Sequence, residues 1–134
     1  MDVLQHLMHG SASSQVTTYP AIVGSLIVKA RSEAGLRQDE LAERAKVPQS
    51  TLSRIERGST HLTLDQLRKI ALALDIRPSH MVASAEEVEL LLQRNGAEVK
   101  EVVEPDSLRR DAAIFLSGVA LVTLIAFLAT KSKS

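Results

Sequence analysis

Five hydrogen-bonding side chains crowd into one short stretch: Gln49, Ser50, Ser53, Arg54 and Arg57, with Thr51 between them. None is a nucleophile held beside a base. An amide, hydroxyls and guanidinium groups at this spacing suit recognition rather than bond-making. Such groups pair with base edges, or hold phosphate oxygens. Read as a helix over 49–57, the stretch turns these residues outward and sets Leu52 and Ile55, three apart, on the opposite side as a narrow apolar stripe. Just upstream, Leu41, Ala42 and Ala45 at i, i+1 and i+4 predict a second short amphipathic helix over 38–45. Only Lys46, Val47 and Pro48 separate the two, and Pro48 presets φ for a helix start. A helix packed on one side and polar on the other, braced by a second helix across a tight turn, is the arrangement that enters a DNA major groove.

The elements that must position this pair can be read around it. Helix 1 is expected from about Ala21 to Ala34, stopped by Gly35. Gly58 closes the 49–57 helix. The loop Ser59-Thr60-His61 offers hydroxyl and backbone N–H groups to phosphates, with Thr60 and His61 as candidate contacts. Thr63-Leu64-Asp65-Gln66 is a capping box opening helix 4, which ends near Leu74. Pro78 starts a short helix to about Val82. Ser84-Ala85-Glu86-Glu87 reads as a second capping box, opening a further helix that Gly96 ends. The apolar residues of that helix, Val88, Leu91 and Leu92, fit docking on the domain and pairing of two subunits equally. In Glu98–Glu104, Val99, Val102 and Val103 fit a helical stripe and a short strand equally, and Pro105 breaks either. Asp106 then caps a final helix.

From about Ile22 to Ile76 the chain resembles the DNA-binding domains of phage repressors and Cro, the XRE family. The resemblance is carried by Arg31, Gly35, Gln38, Leu41, Ala42, Val47, Leu52, Ile55, Glu56, Gly58, Leu67, Ile70, Ala71 and Leu74. It implies a compact bundle of five helices that binds double-stranded DNA as a homodimer. It also implies that Gln38 contacts a phosphate, that Gln49, Ser50 and Arg54 reach base edges, and that Arg31 and Glu56 pair across helices 1 and 3. Two positions depart from the family pattern. Lys46 stands where the turn usually has glycine, so it must adopt a left-handed conformation or the turn must differ. Arg37 stands where the N-cap before Gln38 is usually Ser or Thr, which weakens that helix start.

The far end of the sequence carries a different signal. Ala112 to Thr130 is nineteen residues without a charge or a proline. As a helix it would span ~28 Å, close to the ~30 Å of bilayer hydrocarbon. A chain of 134 residues is too small to cover a helix apolar on every side. A single transmembrane helix is therefore expected, acting as a C-terminal anchor in the lipid bilayer. Arg109 and Arg110 before it and Lys131 and Lys133 after it give no orientation by charge. A DNA-binding head must face the cytoplasm, which would place the protein in the inner membrane with Ser134 outside.

Charge follows the same division. The chain sums to zero, yet residues 20–82 hold ten Lys/Arg against seven Asp/Glu, and residues 83–111 hold four against eight. A mildly basic head suits DNA, which would repel the acidic connector. With no cysteine, disulfides and thiolate metal sites are excluded. His6, His9, His61 and His80 lack metal-ligand spacing, and no catalytic constellation or phosphate-cradling glycine loop is present. No enzyme activity, cofactor or metal is expected. The N-terminus carries no basic, apolar signal peptide.

The sequence thus reads as all-α. Residues 1–19 form a flexible arm, 20–82 a five-helix repressor-like helix-turn-helix domain, and 83–111 an acidic helix and connector. Residues 112–130 form the transmembrane helix and 131–134 a short tail. The expected function is sequence-specific transcriptional regulation from the membrane. The alternative is a membrane-anchored helix-turn-helix that grips a protein partner such as a cytoskeletal filament, for which base-reading residues on the second helix would not be needed.

Overall fold

The computed structural model describes residues 16–100. The greater part of the expected arm, the connector beyond Lys100 with its Asp106 cap, the 112–130 span and the 131–134 tail lie outside the described residues.

Among the described residues, five helices form the body: α1 (Tyr19–Glu33), α2 (Gln38–Ala45), α3 (Gln49–Glu56), α4 (Leu64–Ala73) and α5 (Pro78–Arg94). Two three-residue strands flank them, β1 (Val16–Thr18) and β2 (Glu98–Lys100). α1 packs against both α3 and α5, and α2 against α3 and α4. One core results, centred on Ile22, Ile27, Leu41, Leu52, Ile55, Ile70 and Leu92, each at most 2% exposed. With almost no aromatic residues, interlocking aliphatic side chains supply the packing.

Each described helix stops in the same way, on a residue with positive φ: Gly35, Lys46, Gly58, Asp75 and Gly96. The residue after each sends its N–H back to a carbonyl in the last turn, as in Leu36 to Arg31, Val47 to Ala42, Ser59 to Arg54, Ile76 to Ala71 and Ala97 to Leu92. This is the Schellman arrangement, which satisfies carbonyls the helix leaves without partners. Lys46 is left-handed, at φ 55° and ψ 43°, the first of the two alternatives its place in the turn left open. Asp75 does the same for α4 without a glycine, using the tolerance of a short polar side chain for this conformation.

Helix starts are more varied. The Thr18 hydroxyl accepts from the Ala21 N–H at 3.2 Å, and Pro20 occupies the first turn of α1. The Thr63–Gln66 capping box closes in both directions, at 3.1 and 3.0 Å. Arg37 has no acceptor to offer the α2 amides. Its own backbone N–H instead donates to the Glu40 carboxylate at 2.7 Å, leaving half of a capping box.

Two expectations from the sequence change. The two helices separated near residue 83 are one, α5. Ser84-Ala85-Glu86-Glu87 has the composition of a helix start, but no proline or glycine interrupts the chain there. Met81, Ala85, Val88 and Leu92 form an unbroken buried stripe through it. Val88 and Leu92 thereby dock on the domain. Secondly, Val16–Thr18, read as part of the arm, is a strand, so two short strands join the helices. It pairs in parallel with β2, Val16 opposite Glu98 and Thr18 opposite Lys100. Three β-branched residues suit a strand, and Val99 falls on the strand side of its two readings.

Candidate nucleic-acid interface

α2 and α3 meet through the left-handed Lys46, the buried Val47 and Pro48. Pro48 is the N-cap of α3 and provides no side-chain cap. α3 then buries Leu52, Ile55 and Glu56. Its other side faces outward: Gln49, Ser50, Arg54 and Arg57 are exposed, while Thr51 and Ser53 are half-buried at the margins. Among the described residues, the Arg54 guanidinium has no acceptor. Arg57 folds back instead, its Nε donating to the Ser53 carbonyl at 3.2 Å. A cation on the last carbonyls of a helix is favourable there.

The loop beyond α3 is held by Ser59, whose N–H and hydroxyl both donate to the Arg54 carbonyl, at 3.0 and 3.2 Å. Thr60 is half-buried and His61 exposed. His61 also lines an apolar groove of about 340 Å³ with Tyr19, Leu62, Leu64 and Met81. Burial, and after it the carboxylates of Glu86 and Glu89, raises the Tyr19 phenol above its ordinary value, so the hydroxyl stays neutral.

Arg31, Gln38 and Glu56 come together behind this surface. Arg31 Nε donates to Glu56 Oε1 at 2.8 Å and Arg31 Nη2 to Oε2 at 3.2 Å, a bidentate pair joining α1 to the end of α3. Arg31 Nη1 also donates to the Leu36 carbonyl at 3.0 Å. The Glu56 side chain is only 5% exposed and that of Arg31 18%. Gln38, half-buried at the start of α2, donates from Nε2 to Glu56 Oε2 at 2.8 Å. The expected Arg31–Glu56 pair is thus present, and it has a third member that the sequence did not suggest.

The sequence also gave no role to Gly24. There α1 runs against the last turn of α3. A Cβ at Gly24 would collide with the Ile55 carbonyl oxygen and lie 2.8 Å from that of Glu56. The available signal was a single glycine inside an otherwise apolar helical run, a position that costs roughly 1 kcal/mol relative to alanine unless close packing requires it. Among the described residues, no group of three or more acidic or histidine side chains could hold a metal ion.

The fold is similar to that of known proteins. Residues 27–80 match the helix-turn-helix family model. A point mutant of the restriction-modification controller protein C.Esp1396I is 28% identical, with a TM-score of 0.51 over 54% of this chain and 94% of its own. The clp gene regulator ClgR from Corynebacterium glutamicum is 21% identical, with a TM-score of 0.52 over 71% of this chain and 86% of its own, a likeness of fold. The controller protein C.AhdI from Aeromonas hydrophila is 31% identical, with a TM-score of 0.45 over 46% of this chain and 94% of its own. No curated protein matches the sequence. Fold and turn together make the described residues a helix-turn-helix domain, similar over residues 27–80 to the helix-turn-helix family.

Proposed function

We propose that the protein is a sequence-specific DNA-binding transcriptional regulator, acting as a homodimer and tethered to the membrane by Ala112–Thr130. The observation that carries the DNA reading is the two-sided character of α3. Its apolar side is sealed into the core, while Gln49, Ser50 and Arg54 stand exposed on the other. The similar proteins of solved structure are, by name, a controller protein and a gene regulator, which supports the same reading.

Gln49, Ser50 and Arg54 read base edges in the major groove. Thr51, Ser53, Arg57, Thr60, His61 and Gln38 hold the backbone on either side. Cross-linking the full-length protein to DNA in cells and mapping the recovered fragments tests the reading directly. One recurrent sequence motif is expected, and its absence would leave a protein partner for α3 as the better account. Replacing Arg54 with alanine should cost ~1–3 kcal/mol on the recovered site and relax the preference at one base pair. Unchanged affinity and unchanged preference would remove Arg54 from base readout.

The tether rests on the sequence alone. Among the described residues, no helix is long and apolar enough to cross a membrane. The nineteen uncharged residues beyond them meet the length and polarity a bilayer demands. Full-length protein should stay in the membrane pellet through an alkaline carbonate wash. A central charge, Leu121→Arg, should penalise insertion by ~2.5–3.5 kcal/mol and shift protein into the wash. Unaltered protein appearing in the wash fraction would refute the tether and leave the DNA reading standing.

A further inference from the structure

We infer that Glu56 is a positioning residue for DNA binding: it fixes the orientation of the Gln38 side-chain amide, and so presents one of its N–H bonds to a backbone phosphate. The inference rests on the DNA-binding reading above and goes beyond it, since Glu56 is buried and touches no ligand itself.

The carboxylate of Glu56 accepts three hydrogen bonds, two from Arg31 and one from Gln38 Nε2 at 2.8 Å. An ionised carboxylate can only accept. It therefore selects one of the two flipped states of the Gln38 amide, with NH₂ toward Glu56 and Oε1 turned away. The opposite state would set two acceptors face to face. An amide NH₂ carries two hydrogens, and the carboxylate takes one. The other remains for an acceptor outside the domain. Beside it is the backbone N–H of Gln38, which no carbonyl of α2 can reach, because the first bond of that helix runs from Leu41 to Arg37. Two donors on one residue at a helix start form a suitable seat for a phosphate oxygen.

Arg31 makes the arrangement tolerable near DNA. A lone carboxylate behind a phosphate seat would repel the phosphate. The bidentate guanidinium balances that charge and holds both oxygens in place. Arg31 orders Glu56, Glu56 orders Gln38, and Gln38 meets the phosphate. The chain joins α1, α3 and α2 in turn, so the contact at the start of α2 is set by the last turn of the recognition helix.

A mutant cycle tests this, with binding of the full-length protein in detergent micelles to a fluorescent random-sequence 30-base-pair duplex, because a phosphate contact acts on every sequence. Gln38→Ala should weaken binding roughly tenfold, the scale of one hydrogen bond to a charged group. Glu56→Gln should weaken it by a similar factor, and the double variant should bind no more weakly than either single one. If Glu56 acted only through its charge, Glu56→Gln would tighten binding, because it removes a negative charge beside DNA. If it acted only through the fold, the two losses would multiply to roughly a hundredfold. Either result overturns the inference. Should Glu56→Gln fail to fold, Glu56→Asp keeps the partner of Arg31 while withdrawing the oxygen from Gln38, and the same cycle applies. If the unaltered protein binds no duplex at all, the DNA-binding reading itself fails and takes this inference with it. Binding with multiplied losses removes the inference alone.

Discussion

Replacing Arg31 with methionine should destabilise the domain by about 3 kcal/mol or more, within the ~3–5 kcal/mol typical of breaking a buried ion pair from one side. The effect does not come from a strong pair, since taking two charges out of water offsets much of their attraction. It comes from what stays behind: a Glu56 carboxylate, 5% exposed, with only the Gln38 amide to satisfy it. Removing both charges as Arg31→Met with Glu56→Leu should return most of the loss, because no uncompensated charge then remains. Urea unfolding of the full-length variants, followed by helical circular dichroism, measures both. A double variant as unstable as Arg31→Met would show that the geometry of the pair, rather than the stranded charge, is what matters.

Gly58→Ala should be nearly as damaging, while the same change at Gly35 should be mild. Both glycines are left-handed, with φ of 69° and 70°. Each substitution therefore carries a conformational cost of about 1–2 kcal/mol. Only at Gly58 does a Cβ also meet a neighbour, with the Cα of Ala21 at 2.5 Å and its Cβ at 2.7 Å. At Gly35 nothing lies within 4 Å. Overpacking against backbone adds about 1–3 kcal/mol, so Gly58→Ala should lose roughly twice what Gly35→Ala loses, or more. Equal losses in the two melts would mean that α1 shifts freely away from the end of α3.

The elements legible in the sequence are those whose signals are local. α2 and α3 fall where the apolar spacing placed them, because Lys46-Val47-Pro48 ends one and begins the next within three residues. α4 begins at its capping box. The same kind of signal misled at Ser84, where capping-box residues occur inside a continuous helix. A cap requires a non-helical backbone, and residue types alone do not impose one. The β1–β2 pair was out of reach because its strands are joined only through the whole bundle. At the candidate site, the outward face of α3 was readable from spacing, and the Arg31–Glu56 pair from family resemblance. The Gln38–Glu56 bond and the contact made by Gly24 were not, since each depends on how three helices converge.

The way the helices end bears on how the domain opens and closes. Every helix stop among the described residues is settled within six residues of chain, by one left-handed residue and the hydrogen bonds around it. The bundle can therefore assemble from segments that already know their own lengths, a condition for fast folding. The β1–β2 pairing is the opposite case. It is three residues long and joins the two ends of the described chain, so it can form only after everything between has been placed. Such a contact closes last and opens first. The lowest opening of the native state should accordingly release β2 alone, while α1 to α5 stay folded. Amide hydrogens of the strand pair should then exchange with solvent well before those of α3.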